Sequence, residues 1–385
     1  MNTNKSNILF VSHDANRAGA QIFLLNIMLH LKKEGHDVKL LLVDEWGDLK
    51  ATFQENFKTY ILNKQESNTS KLSKFKEVFK EKQTVFEEIK ADRNIDFIYV
   101  NTIASVHILE QLKLIFKVPV ITHIHELSYS ISQYGPTDAY HILEKFSDKI
   151  IACSAAVAHN LFLENENLKS KTEVVHSFVD NEKVLTVKDK NKPKIFREKI
   201  GIKDNEILVG ACGNADWRKA TDIFVQIAAR TSNINPKIHF VWIGIKKDTE
   251  YFKQLEYDAK KLGADQKIIW VSPTPEAISF INALDIFLVC SREDPFPLVM
   301  LEAALCEKPI VGFKNTGGAE EFIGTDAGIL AEYLNIDEIS EQLISLSTNS
   351  EQIHKLGKNA QTKVIQNFSF DMSIQKIQKI LNTFG

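Results

Sequence analysis

The sequence predicts an α/β protein made of two Rossmann-like domains in tandem, each a parallel sheet covered by helices. Three observations carry this. Short, continuous apolar strands alternate with helical stretches, the pattern of sheets buried on both faces. The alternation runs twice, broken by a lysine-rich, proline-bearing stretch near residue 190. At 385 residues the chain is too long for one ordinary core and fits two.

The elements follow in order. Ile8–Val11 is an apolar strand, residues 12–19 form a polar loop holding Gly19, and Ala20–Lys33 is apolar almost all round, so this helix is largely buried. Gly35 stands where a helix C-cap belongs, and Val38–Val43 is the next strand. "DFIYVNT", "VPVITHIHE" and "KIIACSAA" give three more strands, each ending in polar residues. Residues 181–205 interrupt the pattern and read as an interdomain linker. A second series follows, with strands "EILVGAC", "KIHFVWIG", "KIIWVS", "DIFLVC" and "KPIVGF" and helices near 221–232, 249–262, 275–283 and 298–306. The last 35 residues read as two helices.

Composition narrows the function. A net charge of −3 gives no case for bulk nucleic-acid binding. The four cysteines, Cys153, Cys212, Cys290 and Cys306, are far apart without zinc-ligand spacing and read as reduced, buried, small hydrophobes. The first residues carry no long apolar run, so no signal peptide is read, and no uncharged run approaches the roughly 20 residues of a membrane span. A cytoplasmic protein is expected. The lysine-rich stretch 63–82 could rest on anionic lipid at the inner face of a membrane, but its glutamates favour a solvated helix face.

In open parallel sheets ligands sit beyond the carboxyl ends of the strands. Four loops there carry unusual chemistry. In "GNADWRKATD", residues 213–222, Arg218 and Lys219 lie at the mouth of a helix that starts near Thr221, a site for a diphosphate. Most Arg-Lys pairs are solvated surface cations; the position after a strand tips the reading towards function. In "SREDPFPLVMLEAALCEKPIVGF", Asp294 lies in a strand-to-helix loop and Glu302 in the second helical turn, among apolar neighbours. A carboxylate there needs donors, which the adjacent hydroxyls of a ribose supply; Asp294, expected at the loop's tip, could receive sugar hydroxyls. An acid near a helix start is also favoured without any ligand. Gly317-Gly318 follows a strand and precedes a helix, where backbone can approach a ligand or simply turn. His123 and His125 alternate at a strand end, so they should point to opposite faces and not share a metal; one of them is expected to face a ligand.

Together these residues resemble the retaining glycosyltransferases of the GT-B fold, specifically glycosyltransferase family 4, over essentially the whole length. The most specific match is "DPFPLVMLEAALCEKPIV" against the family's E-x7-E motif; "RK" at 218–219, "GGAEE" at 317–321, "HE" at 125–126 and the first-loop glycine agree in order and spacing. The resemblance implies two domains, 1–182 on the acceptor side and 183–369 on the nucleotide-sugar side, facing a central cleft, with residues 370–385 crossing back. It implies that Glu302 holds the donor's ribose, Asp294 stands near the transferred sugar, Arg218 and Lys219 bind the diphosphate, Gly19 lies against phosphate, and His125 is near a donor-sugar hydroxyl. Phe296, Pro297 and Leu298, between the two acids, should bind through backbone N–H groups at a helix start, although Pro297 has none. The sequence departs from the family at several points. The first acid is Asp294 unless Glu293 takes its place, Pro297 stands for glycine, the first loop lacks a glycine pair, Ser177-Phe178 stands for Asn-Gly, and Glu307 replaces glycine.

The implied activity is transfer of a sugar, with retention, from a nucleotide sugar to a hydroxyl of a glycan or lipid-linked acceptor, as in bacterial surface-polysaccharide assembly. The acceptor should touch loops 12–19, 101–105 and 126–136. No D-x-D is present, so metal independence and no cofactor are expected. Sugar-nucleotide epimerases and sugar phosphorylases use the same fold, but an epimerase would need further acids, and a non-catalytic GT-B subunit that binds nucleotide sugar or glycan is the other alternative.

Overall fold

The computed structural model describes residues 5–63, 74–92, 94–188 and 192–384. The lysine-rich stretch read as a lipid-facing segment falls partly outside these residues; its described part opens the helix Lys74–Asp92. The chain divides into two units, Met1–His176 with Ile374–Gly385, and Ser177–Ser373.

The first unit is built on seven parallel strands, β1 (Asn7–Ser12), β2 (Asp37–Asp44), β3 (Lys58–Asn63), β4 (Phe97–Asn101), β5 (Val120–Ile124), β6 (Lys149–Ala152) and β7 (Thr172–Val174), in the order β3-β2-β1-β4-β5-β6-β7. β1 is central: Ile8 pairs with Val38 on one side and with Phe97 on the other. Its apolar run is buried on both faces, as a middle parallel strand must be. The helix Gly19–Lys33 returns the chain to β2, burying Phe23, Leu24, Ile27, Met28 and Leu31, and ends at Gly35, whose φ of +92° suits glycine.

The second unit carries six parallel strands, β8 (Ile207–Cys212), β9 (Ile238–Ile243), β10 (Ile268–Val271), β11 (Ile286–Val289), β12 (Ile310–Phe313) and β13 (Gly328–Ala331), ordered β10-β9-β8-β11-β12-β13. Here β8 is the pivot, with Val209 paired to Phe240 and to Ile286. Phe224, on the helix Thr221–Ile234, packs edge-on against Phe240 and Trp242 at 5.7 and 5.2 Å. In both sheets the order in which strands are added reverses beside the first strand, which puts a crevice at the carboxyl ends of β1 and β4 in one unit and of β8 and β11 in the other.

Residues 181–205, read as a linker, are not one. They hold the helices Asn181–Val187 and Lys192–Lys199 and belong to the second unit. Polar composition misled because both helices are short. The first is capped by Asp180, whose carboxylate accepts from Lys183 N at 2.9 Å; the second is tied down by Arg197, which pairs with Asp285 at 2.8 Å. The C-terminal helices are Ser350–Asn367 and Phe370–Leu381. No helix among the described residues is long and apolar enough to cross a membrane.

Candidate functional site

In the second unit the chain leaves β8 through Gly213, whose φ of +146° suits glycine. A Cβ there would stand 3.4 Å from Lys219 Cε, an ordinary contact, so the φ rather than crowding asks for glycine. The Gly213 carbonyl is held by Trp242 Nε1 at 3.0 Å, and Asp216 accepts from Lys219 N at 2.7 Å. Ala220, at φ +58°, turns the chain into the helix Thr221–Ile234. The Arg218–Lys219 pair therefore sits directly before a helix N-terminus, where partial positive charge already collects.

Asp294 lies beyond β11 and is not at an exposed loop tip: it is 4% exposed. Its carboxylate is gripped by Lys219 Nζ at 2.5 Å, has Arg218 Nη1 at 3.8 Å, and is approached by Ser291 Oγ at 3.4 Å. Arg218 also donates to the Glu293 carbonyl at 3.1 Å. The Asp294 side chain thus joins the cation pair.

The glycine pair explains why this loop can close. Asp294 N donates to Thr316 O at 2.7 Å, Gly318 N donates back to Asp294 O at 3.0 Å, and Asp294 and Gly317 form a parallel bridge. Gly317 has φ +127°, and a Cβ on Gly318 would lie 2.4 Å from Pro295 O and 2.5 Å from Phe296 Cδ2. The close approach these glycines permit is to the Asp294 loop itself.

The Phe296 ring is buried, stacked on Phe368 at 5.5 Å. Pro297 caps the helix Leu298–Leu305 with φ −65°, the value its ring imposes. On that helix the Glu302 carboxylate accepts no hydrogen bond among the described residues. Burial pushes its pKa up to about 7, against a small opposing pull from Lys183. Burial first, then the Glu302 charge, pushes the Cys212 thiol up to about 12, while Lys219 acts in the opposite sense. Lys219 and Cys212 stand together at the β8 end. A small pocket there is lined by Cys212, Lys219, Trp242, Ser291, Asp294 and Pro297.

One residue that sequence reasoning missed binds the two loops. Arg292 donates N–H to Arg218 O at 2.8 Å, Nη1 to Trp217 O at 2.9 Å, and both Nη atoms to Asp222 at 2.8 and 2.6 Å. Its guanidinium covers the Trp217 ring at 5.1 Å.

In the first unit, Gly19 is exposed and opens the helix Gly19–Lys33 without a positive φ. His123 and His125 do not point to opposite faces. Their rings stack, centroids 4.1 Å apart and 27° between planes. Alternation holds only inside a strand, and β5 ends at Ile124, so His125 is already past the pleat. His123 is sealed, with Tyr99 Oη at 2.6 Å from Nδ1; His125 keeps partial exposure, with Asn101 Oδ1 at 3.0 Å from Nε2. Burial pushes the His125 pKa down to about 3 and that of His123 well below its ordinary value, so both rings are neutral at physiological pH. Asn101, also missed from sequence, donates to Ala20 O at 3.2 Å and so ties His125 to the helix that Gly19 opens. Gly19 and His125 thus belong to one unit, while Arg218, Lys219, Asp294, Pro297, Leu298 and Glu302 gather in the other. Among the described residues no group of three or more His, Cys, Asp or Glu side chains is placed to hold a metal ion.

Two family models match the chain: Glycosyltransferase Family 4 over residues 17–183 and Glycosyl transferases group 1 over residues 193–363. The chain belongs to the GT-B glycosyltransferases of family 4. Among its relatives, the O-antigen biosynthesis glycosyltransferase WclY of Escherichia coli is 23% identical over 79% of either chain. The N-acetyl-alpha-D-glucosaminyl L-malate synthase of Bacillus anthracis is 22% identical over 69% of this chain and 68% of that one. The crystal structure of Anabaena Alr3699/HepE in complex with UDP and glucose superposes with a TM-score of 0.83 at 19% identity, covering 98% of this chain and 100% of that one, a likeness of fold.

Proposed function

We propose that this protein moves a sugar, with retention, from a nucleoside-diphosphate sugar of the UDP or GDP type to a hydroxyl of a glycan or lipid-linked acceptor. The acceptor belongs to bacterial surface-polysaccharide or glycoconjugate assembly, and the work is done at the cytoplasmic side. One observation carries the reading: Arg218 and Lys219 converge on Asp294 before a helix N-terminus, and in the same unit the Glu302 carboxylate accepts no hydrogen bond among the described residues while burial raises its pKa. A diphosphate satisfies the first and the paired hydroxyls of a ribose satisfy the second. The UDP and glucose held by the Anabaena protein and the O-antigen role of the E. coli relative support it.

Each residue then has a task. Arg218 and Lys219 offset the charge that develops on the departing diphosphate, which is electrostatic stabilisation without a metal ion. Lys219 passes from Asp294 to the phosphate or bridges both, and Asp294, so placed, lies near the transferred sugar. The first-turn N–H groups around Phe296 and Leu298 face the donor, with Pro297 withholding one. Gly19 lies against phosphate and His125 meets a sugar hydroxyl. The acceptor attacks from the face the diphosphate leaves, and it touches loops 12–19, 101–105 and 126–136.

The test is turnover. Purified protein with a panel of UDP- and GDP-sugars should release free nucleoside diphosphate, and NMR of the product should show the donor's anomeric configuration kept. Lys219→Ala should slow release roughly 100-fold or more. If no donor yields nucleoside diphosphate, or if the product is inverted, the proposal fails.

A further inference from the structure

The tautomer of His125 can be read from its surroundings. Asn101 is fully buried, and its amide has two partners. Its Nδ2 lies 3.2 Å from the Ala20 carbonyl, which can only accept, so Nδ2 is the nitrogen and Oδ1 the oxygen. Oδ1 faces His125 Nε2 at 3.0 Å, so Nε2 must carry the proton. In a neutral imidazole the other nitrogen then bears a lone pair. Nδ1 of His125 accepts no hydrogen bond among the described residues and is not among the sealed, unpartnered polar atoms, so it is open. The ring plane is fixed as well: His123 stacks on it at 4.1 Å, and Phe23 lies edge-on to His125 at 5.4 Å and to His123 at 5.1 Å. His123 is held in turn by the Tyr99 hydroxyl at 2.6 Å.

We propose that Asn101 is a positioning residue: it locks His125 in the Nε2–H form and so presents Nδ1 as a fixed acceptor for a hydroxyl of the transferred sugar. A ligand that meets this nitrogen must donate. A sugar hydroxyl does; a carboxylate or fully ionised phosphate does not. The sugar half of this inference rests on the proposed transferase function, whereas the lock does not.

The experiment uses the full chain labelled with ¹⁵N-histidine, with His125 assigned through His125→Gln. Long-range ¹H–¹⁵N correlation at pH 7 should show His125 protonated at Nε2 and bare at Nδ1. Asn101→Leu should let the two forms mix, and Asn101→Asp, which keeps an acceptor in place, should restore the single form. A wild-type ring protonated at Nδ1, or a tautomer indifferent to Asn101→Leu, overturns the lock. UDP-glucose and UDP then serve as paired probes. UDP-glucose should move the Nδ1 resonance and UDP should not. Asn101→Leu should weaken UDP-glucose about twofold, because the form bare at Nδ1 falls to about half of the population, and leave UDP unchanged. Equal weakening of both would mean a merely structural role and overturns the sugar contact. Binding of neither probe to the wild type sinks that contact together with the UDP form of the transferase reading, while the tautomer measurement still decides the lock.

Discussion

Replacing Glu302 by Gln should stabilise the free protein at alkaline pH while destroying its ability to hold a nucleotide. The carboxylate is half-buried and accepts no hydrogen bond among the described residues, and burial raises its pKa from 4.5 to about 7. At about 1.4 kcal/mol per pKa unit, keeping it ionised in the folded protein costs about 3 kcal/mol. A raised carboxyl pKa means the folded state holds the proton more tightly than the unfolded one. The contribution of Glu302 to stability is therefore complete below pH 4.5 and is lost as pH rises through about 7. Gln keeps the shape without the charge. Wild type and Glu302→Gln should melt alike at pH 4 and diverge by pH 8. A domain of about 200 residues moves roughly 2–4 °C per kcal/mol, so the variant should melt roughly 6–12 °C higher. Calorimetry from pH 4 to 8 reads this directly. A difference that does not change with pH, or a variant that melts lower at pH 8, would refute the claim that Glu302 is an uncompensated, half-buried acid waiting for donors.

Other perturbations follow from the same contacts. Lys219→Met strands the buried Asp294 carboxylate and should cost roughly 3–5 kcal/mol in denaturant unfolding; adding Asp294→Asn should recover most of the stability but none of the turnover. Gly318→Ala places a methyl 2.4 Å from Pro295 O, so the two loops must part; about 1–3 kcal/mol of stability and most nucleotide affinity by calorimetric titration should go with it. Arg292→Lys gives up the paired contact with Asp222 and the cover over Trp217, and should weaken nucleotide binding several-fold where a surface Arg-to-Lys change would do nothing.

The architecture was legible because parallel strands buried on both faces leave unbroken apolar runs, and those runs marked the middle strands of both sheets. The strands that escaped notice lie at or near the edges. Lys58–Asn63 alternates exposed and buried residues, Thr172–Val174 has only three residues, and Gly328–Ala331 opens on a glycine and is fully buried only at its two ends. Arg218, Lys219, Asp294 and Glu302 were found through their placement after strands or in a helix of apolar neighbours, chemistry visible in a string of letters. What each contacts was not visible. The burial of Asp294 depends on a glycine pair more than 20 residues away, and Arg292 reaches Asp222 across 70 positions. The histidine stack was misread because the strand stops one residue earlier than the alternation argument needs.

The central claim is that the second unit holds a nucleotide sugar on Arg218, Lys219 and Glu302. Its most direct test is thermal stability of the wild type and of Glu302→Ala against UDP, GDP, ADP, dTDP and their sugars. A ligand present at 100 times its dissociation constant stabilises by about 2.7 kcal/mol, a shift in midpoint that is easily seen. The account predicts a shift with one nucleotide and its sugar, abolished in Glu302→Ala. No shift with any nucleotide, or one that survives the substitution, would contradict it.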